Sequence, residues 1–232
     1  MFFPMMFDWT YILILIGAII ASIASANVSR TFNKYSKYAT AKGMTGTQVA
    51  EYILEYSGIT NVRVERISGN LTDHYDPSNK VLRLSDATAD SKSIAAIGVA
   101  AHECGHAVQD AQGYFMMTLR QKIVPAVNIG SKMSWPILIL GAIAGYNETF
   151  INIGIILFSL TLLFQLVTLP VEFDASKRAL QIMEDGHILT AKELPYARKT
   201  LNAAAMTYVA SAIAGALSLL RVLILFGGRS RD

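Results

Sequence analysis

The sequence is short of charge and almost without cysteine. Charged residues make up 16% of its 232 positions and hydrophobic ones 53%, a balance too apolar for an ordinary soluble domain. Its single cysteine, Cys104, excludes an intrachain disulfide and suits a reducing compartment. The net charge of +3 is too small to suggest nucleic acid as a partner. Internal repeats and low-complexity tracts are absent. No Lys or Arg precedes the first apolar block, where a cleaved signal peptide needs positive charge. Ala24-Ser25-Ala26 resembles a cleavage site, but the missing charge favours an uncleaved helix.

What the chain does have is apolar residues in blocks. Residues 10–28, 149–171 and 201–220 carry no charge, and residues 123–147 carry only Lys132. Each block is about long enough to cross a bilayer core, which takes roughly 20 residues. The chain is therefore expected to be a mainly α-helical integral membrane protein with about four transmembrane helices. It divides into a first helix (1–28), a polar part (29–122), a transmembrane hairpin (123–171), a second polar part (172–200), and a last helix with its tail (201–232). The hairpin turns near Tyr146-Asn147-Glu148. Pro125 and Pro136 are expected to kink or delimit its first helix, and Lys132 to snorkel or face protein.

Lys and Arg cluster beside the blocks on one side. Arg30, Lys34, Lys37 and Lys42 follow the first, Arg120 and Lys122 precede the second, and Lys177, Arg178, Lys192, Arg198 and Lys199 lie between the third and fourth. Both polar parts are thus expected in the cytoplasm, with a multi-pass protein in the cell membrane. Arg229 and Arg231 conflict with this if the fourth helix fully spans.

The larger polar part has readable punctuation. Residues 47–56 read as an amphipathic helix stopped by Gly58. Residues 61–67 and 81–85 alternate like strands, and residues 74–79 have turn chemistry. The pattern predicts a small hairpin or sheet. The strand at 81–85 is either an ordinary structural strand or an edge that pairs with an extended peptide.

Next comes Ala101-His102-Glu103-Cys104-Gly105-His106-Ala107, an H-E-x-x-H motif. A helix is expected here, with Asp90 or Ser91 as N-cap and Gly113 as a stop. His102 and His106 then leave one face a turn apart and can reach one Zn²⁺. Glu103 sits where its carboxylate reaches an attacking water without ligating, as a general base. Cys104 points away from that face and reads as a packing residue. A catalytic zinc usually has three protein ligands. Candidates for the third are Glu172, Asp174, Glu184, Asp185, His74 and His187. Glu172, at the membrane exit of the third block, returns to the same side as the histidines. Asp174 lies about 200° round the helix from it, so only one of the two can face the metal.

Ala100 to Ala107 of this motif, together with Leu169-Pro170-Val171-Glu172-Phe173-Asp174-Ala175-Ser176-Lys177-Arg178-Ala179, resemble the YugP-type membrane zinc metallopeptidases. More distantly they are similar to the HtpX and CAAX prenyl proteases. The resemblance covers nearly the whole chain, including Asp73-His74-Tyr75-Asp76-Pro77 and residues 201–210. In the HtpX pattern the third ligand is the Glu of E-F-x-A-D-x-x-A. Glu172, Phe173, Ala175 and Ala179 match that register, and Ser176 stands where the pattern has Asp. The resemblance implies a gluzincin site of His102, His106 and Glu172 around one zinc ion. It also implies a small α+β zincin-like cytoplasmic domain built around the H-E-x-x-H helix.

The expected activity is peptide hydrolysis on membrane or membrane-associated proteins, with the bilayer itself as a partner. Glu103 takes the water's proton and passes it to the leaving amine. Candidate oxyanion donors are His74, His187, Arg178 and Tyr208. Two other readings compete. An intramembrane protease would bury the motif in a spanning helix, but Asp86, Asp90, Lys92, Gln109 and Asp110 flank it. A non-catalytic scaffold would hold a closed structural zinc, with a fourth ligand such as His187 or Asp174. Small residues along the last helix suit close packing within the chain, between copies, or against another membrane protein.

Overall fold

The computed structural model describes residues 8–227, so Arg229 and Arg231 lie outside the described residues. In chain order the elements are α1 (Tyr11–Tyr35), α2 (Gly46–Tyr56), β1 (Arg63–Ile67), β2 (His74–Asp76), β3 (Val81–Ser85) and α3 (Asp86–Ala89). They continue as α4 (Ile94–Ala111), α5 (Phe115–Ile143), α6 (Glu148–Asp185) and α7 (Leu194–Phe226). The chain forms two compact units, one of which is Ser25–Thr118 with Pro170–Met206. The other takes the chain up to Ala24, Leu119–Leu169, and the chain from Thr207. Four helices, α1, α5, α6 and α7, are long and apolar enough to cross a membrane.

The first of these units holds α2, the sheet, α3 and α4. Thr45 starts α2 through a reciprocal capping box with Gln48, and Gly58 ends it in the left-handed region at φ +69°. Its buried face, Val49, Ala50, Ile53 and Leu54, packs into a core with Leu82, Leu84, Ile97, Ala100, Cys104 and Met183. Gly46 has no room for a side chain, since a Cβ there would sit 2.3 Å from the carbonyl oxygen of Thr88.

Of the small hairpin or sheet expected from the alternation, a three-stranded sheet forms. β1 and β3 run parallel, β2 pairs antiparallel with β3, and the order is β1-β3-β2. Residues 74–76, read as turn, are strand; the turn itself is carried by the Asp76 carboxylate, which accepts from the amides of Ser78 and Asn79, each at 3.1 Å. β3 is therefore the central strand and not an edge. Its near-complete burial fits that place, with Val81, Leu82, Leu84 and Ser85 buried and only Arg83 partly exposed. The edges are β1 and β2.

α4 starts later than its sequence suggested. Ser93, not Asp90 or Ser91, is the N-cap, and its side chain accepts from the amide of Ala96. Asp90 is taken by an ion pair with Arg66, and the Ser91 hydroxyl is bonded to that of Ser93 at 2.9 Å. Gly113, at φ +62°, follows the C-cap as expected.

In the apolar unit, Gly145 and Tyr146 turn the chain at φ 72° and 60°. The side chain of Asn147 caps the next helix, accepting from the amides of Thr149 and Phe150. Small residues bring helices close: a Cβ on Gly130 would lie 2.7 Å from the carbonyl oxygen of Leu157. Pro125 and Pro136 lie inside an unbroken α5, and Lys132 is exposed. Arg221 is buried, bonded to Asp8 at 3.1 Å and stacked 4.1 Å over the ring of Tyr11. The C-terminal end of α7 thus packs beside the N-terminal end of α1. The four compositional boundaries, at 28, 122, 171 and 200, all fall within helices. Hydropathy changes there while the backbone continues.

Candidate metal centre

The site is built within one unit, from α4 and the part of α6 that follows Leu169. α4 carries His102, Glu103 and His106, and α6 carries Glu172. The 3.6-residue period sets His102 and His106 on one face, with their ring centroids 4.8 Å apart. Gly105 allows the second helix to come close. A Cβ there would lie 2.5 Å from the carbonyl oxygen of Ala175, which is one turn beyond Glu172. The glycine inside the motif therefore belongs to the contact that delivers the carboxylate.

The Glu172 carboxylate lies 3.2 Å from His102 Nε2 and 3.5 Å from His106 Nε2. The three ligand atoms fall within 4.8 Å of one another, and Glu172 is almost completely buried. Two neutral imidazoles and a carboxylate of opposed charge to a dication form a donor set suited to zinc. A carboxylate buried beside two imidazole nitrogens is what a cation would neutralise.

The opposite ring nitrogens are also held. Gln109, fully buried, donates from Nε2 to the carbonyl oxygen of Val171 and to Asp174, both at 2.8 Å. With its amide hydrogens so placed, its Oε1 faces His106 Nδ1 at 3.0 Å. An acceptor there requires the Nδ1–H tautomer, which leaves the Nε2 lone pair pointing at Glu172. Ser176 Oγ lies 3.1 Å from His102 Nδ1, a hydroxyl able to accept from or donate to that nitrogen. Asp174 in turn pairs with Arg178. Burial of the imidazole works to lower the pKa of His106, but the Glu172 carboxylate outweighs it, and the net direction in the metal-free protein is upward. Burial pushes the Cys104 thiol up as well; it lies in the core against the carbonyl oxygen of Ala50 and takes no part in the cluster.

Glu103 is buried, and its carboxylate accepts from the backbone amide of Tyr75 at 3.0 Å. The edge strand β2 thus meets the glutamate beside the ligand cluster. Tyr75 is anchored by its hydroxyl, which donates to Asp110 at 2.6 Å.

Among the described residues, the other His, Asp and Glu candidates lie outside the ligand cluster. Asp174 supports Gln109. His187 is exposed, at φ 51°. His74 is exposed on β2, with Nδ1 2.9 Å from the Thr72 carbonyl oxygen and Nε2 3.2 Å from Arg83. Arg178 is held by Asp174 and Gln112. Tyr208 lies on α7 in the apolar unit. Sequence reasoning missed Gln109 and Tyr75. Gln109 was findable, since it stands three residues after His106 on the same helix and so shares its face. Tyr75 acts through its backbone, which no side-chain pattern reveals.

Comparison with known proteins gives a family and a relative. The family described as "Putative neutral zinc metallopeptidase" matches residues 10–227. The chain is 45% identical over 210 residues to "Putative membrane protease YugP" of Bacillus subtilis (strain 168), covering 90% of this chain and 93% of the relative. No solved structure matches the chain.

Proposed function

The chain belongs to this family of neutral zinc metallopeptidases, and on that premise we propose that it is a membrane-anchored zinc endopeptidase acting on membrane or membrane-associated proteins. The observation that carries the reading is the convergence of His102, His106 and Glu172 with Glu103 adjoining them. His102, His106 and Glu172 would hold one zinc ion. When bound, zinc polarises a scissile carbonyl and lowers the pKa of a water to about 7.

The chain's own residues supply the rest. Gln109 holds the His106 imidazole in the tautomer that presents Nε2, and Ser176 holds the His102 ring through its Nδ1. Glu103 takes a proton from the attacking water and gives it to the leaving amine. Its bond to the Tyr75 amide keeps the carboxylate beside β2. An extended substrate strand laid along that edge would bring its peptide group to Glu103. Burial of Glu103 and Glu172 strengthens the electrostatics on which the step depends.

Two observations support catalysis over the competing readings. A structural zinc needs a fourth side chain, and among the described residues the cluster contains three. α4 is not among the helices apolar enough to span, which weighs against an intramembrane protease. The Lys and Arg residues beside the apolar runs support a cytoplasmic active site near the membrane surface in a multi-pass plasma-membrane protein.

The test uses the full-length protein in detergent with an unfolded protein substrate. Wild type should carry one zinc by elemental analysis and cleave. Glu103→Gln should keep the zinc and lose at least about a hundredfold in turnover, whereas His102→Ala should lose the zinc. Undiminished cleavage by Glu103→Gln, or full zinc in His102→Ala, would defeat the assignment.

A further inference from the structure

Away from the metal cluster, the unit that holds α4 has a second feature, an open cavity of about 430 Å³ between α1 and α7, within the size range of ligand sites. Arg30 and Lys34, one turn apart on α1, line it together with Lys199 of α7, and none of its lining residues is acidic. Tyr35 stacks on Tyr196 with ring centroids 5.2 Å apart, joining the two helices there. The Lys34 ammonium lies 5.5 Å over the Tyr35 ring and that of Lys199 5.9 Å over Tyr196. A ring face steadies a cation without accepting its N–H bonds as a carboxylate does, so these donors stay directed to an anion.

The cavity also straddles a boundary in both helices. On α1 the uncharged run ends at Val28, just before Arg30; on α7 it begins at Leu201, just after Lys199. Asn27, Ala203 and Met206 line the apolar side of that boundary. Cations at the polar end and a wall of apolar and amide groups at the other match an amphiphile, not a free ion. Basic pockets between spanning helices are suited to anionic head groups. We propose that this cavity binds one anionic phospholipid, with the head-group phosphate between Arg30, Lys34 and Lys199 and the acyl chains along Ala203 and Met206.

Native mass spectrometry of the full-length protein in detergent tests this with phosphatidylglycerol, phosphatidylcholine of the same chains, and inorganic phosphate. Phosphatidylglycerol should be retained and phosphatidylcholine should not. The triple variant Arg30→Gln/Lys34→Gln/Lys199→Gln should bind phosphatidylglycerol roughly a hundredfold more weakly. Lys37→Gln/Lys177→Gln/Lys192→Gln, the same charge change on exposed residues outside the cavity, should bind it like wild type. If the triple variant does not fold, Lys199→Gln alone should weaken binding about fivefold. Equal retention of the two lipids, displacement of phosphatidylglycerol by inorganic phosphate, equal loss in both triple variants, or wild-type affinity in the cavity variants would each overturn the assignment.

Discussion

At the scale of the residue, the centre depends on side chains that never touch a metal. Gln109 has two donors and one acceptor to place, and the Val171 carbonyl and Asp174 carboxylate take both donors. Its oxygen then sets the His106 tautomer. Gln109→Ala should lower zinc affinity by about 10- to 100-fold, measured by competition with a chelator of known affinity. An unchanged affinity would remove Gln109 from that role. The proton on His106 gives a second prediction. Its pKa in the metal-free protein is raised by Glu172, so zinc must displace a proton held more tightly than in an ordinary histidine. Zinc affinity should fall as pH is lowered through the neutral range, beginning above about 6.5. Calorimetry in buffers of different ionisation enthalpy would show the released proton. For the metal-free fold the sign is opposite: the stabilisation from protonated His106 is present at low pH and lost as pH rises through the raised pKa.

At the scale of the element, the site is a contact between α4 and α6, and Gly105 sets how closely they meet. Gly105→Ala puts a methyl group 2.5 Å from the carbonyl oxygen of Ala175. That atom is backbone and cannot rotate away, so the helices must part. The expected cost is about 1–3 kcal/mol, read as a lower thermal midpoint, together with weaker zinc binding as Glu172 is drawn back. A variant as stable as wild type, with unaltered zinc affinity, would show that the helices have slack. The sheet teaches a different lesson about elements. Alternation in residues 61–67 and 81–85 was legible as two strands. Their parallel pairing was not, because β2 is a three-residue strand held by backbone bonds to β3 and has too few side chains for a pattern.

At the scale of the whole molecule, the chain has four helices long and apolar enough to span a membrane and a unit with its own hydrophobic core. α6 is one 38-residue helix that includes both an uncharged run and Glu172. A bound metal should therefore stabilise the fold as well as serve the chemistry, since only the folded chain brings α4 and α6 together. Removing zinc with a chelator should lower the thermal midpoint of the unit holding α4, and added zinc should restore it. Hydrogen exchange would locate the change, with α4 and the segment following Pro170 losing protection first. If protection there did not respond to zinc, the metal would contribute nothing to holding the two helices.

The sequence by itself determined the four apolar helices, the H-E-x-x-H helix and the identity of two metal-binding candidates. These follow from short-range rules: the length of an uncharged run, and the spacing of two histidines on a 3.6-residue period. Spacing left six acids and histidines open as the third ligand, and the family resemblance pointed to Glu172. The tertiary structure brings that residue beside the two histidines, because the contact depends on where two helices distant in sequence meet. It also decided that Ser93 caps α4 once Asp90 is drawn off by Arg66. It made β3 the central strand and placed the edge, β2, against Glu103. Each of these depends on a partner that lies elsewhere in the chain, and no local pattern carries that information.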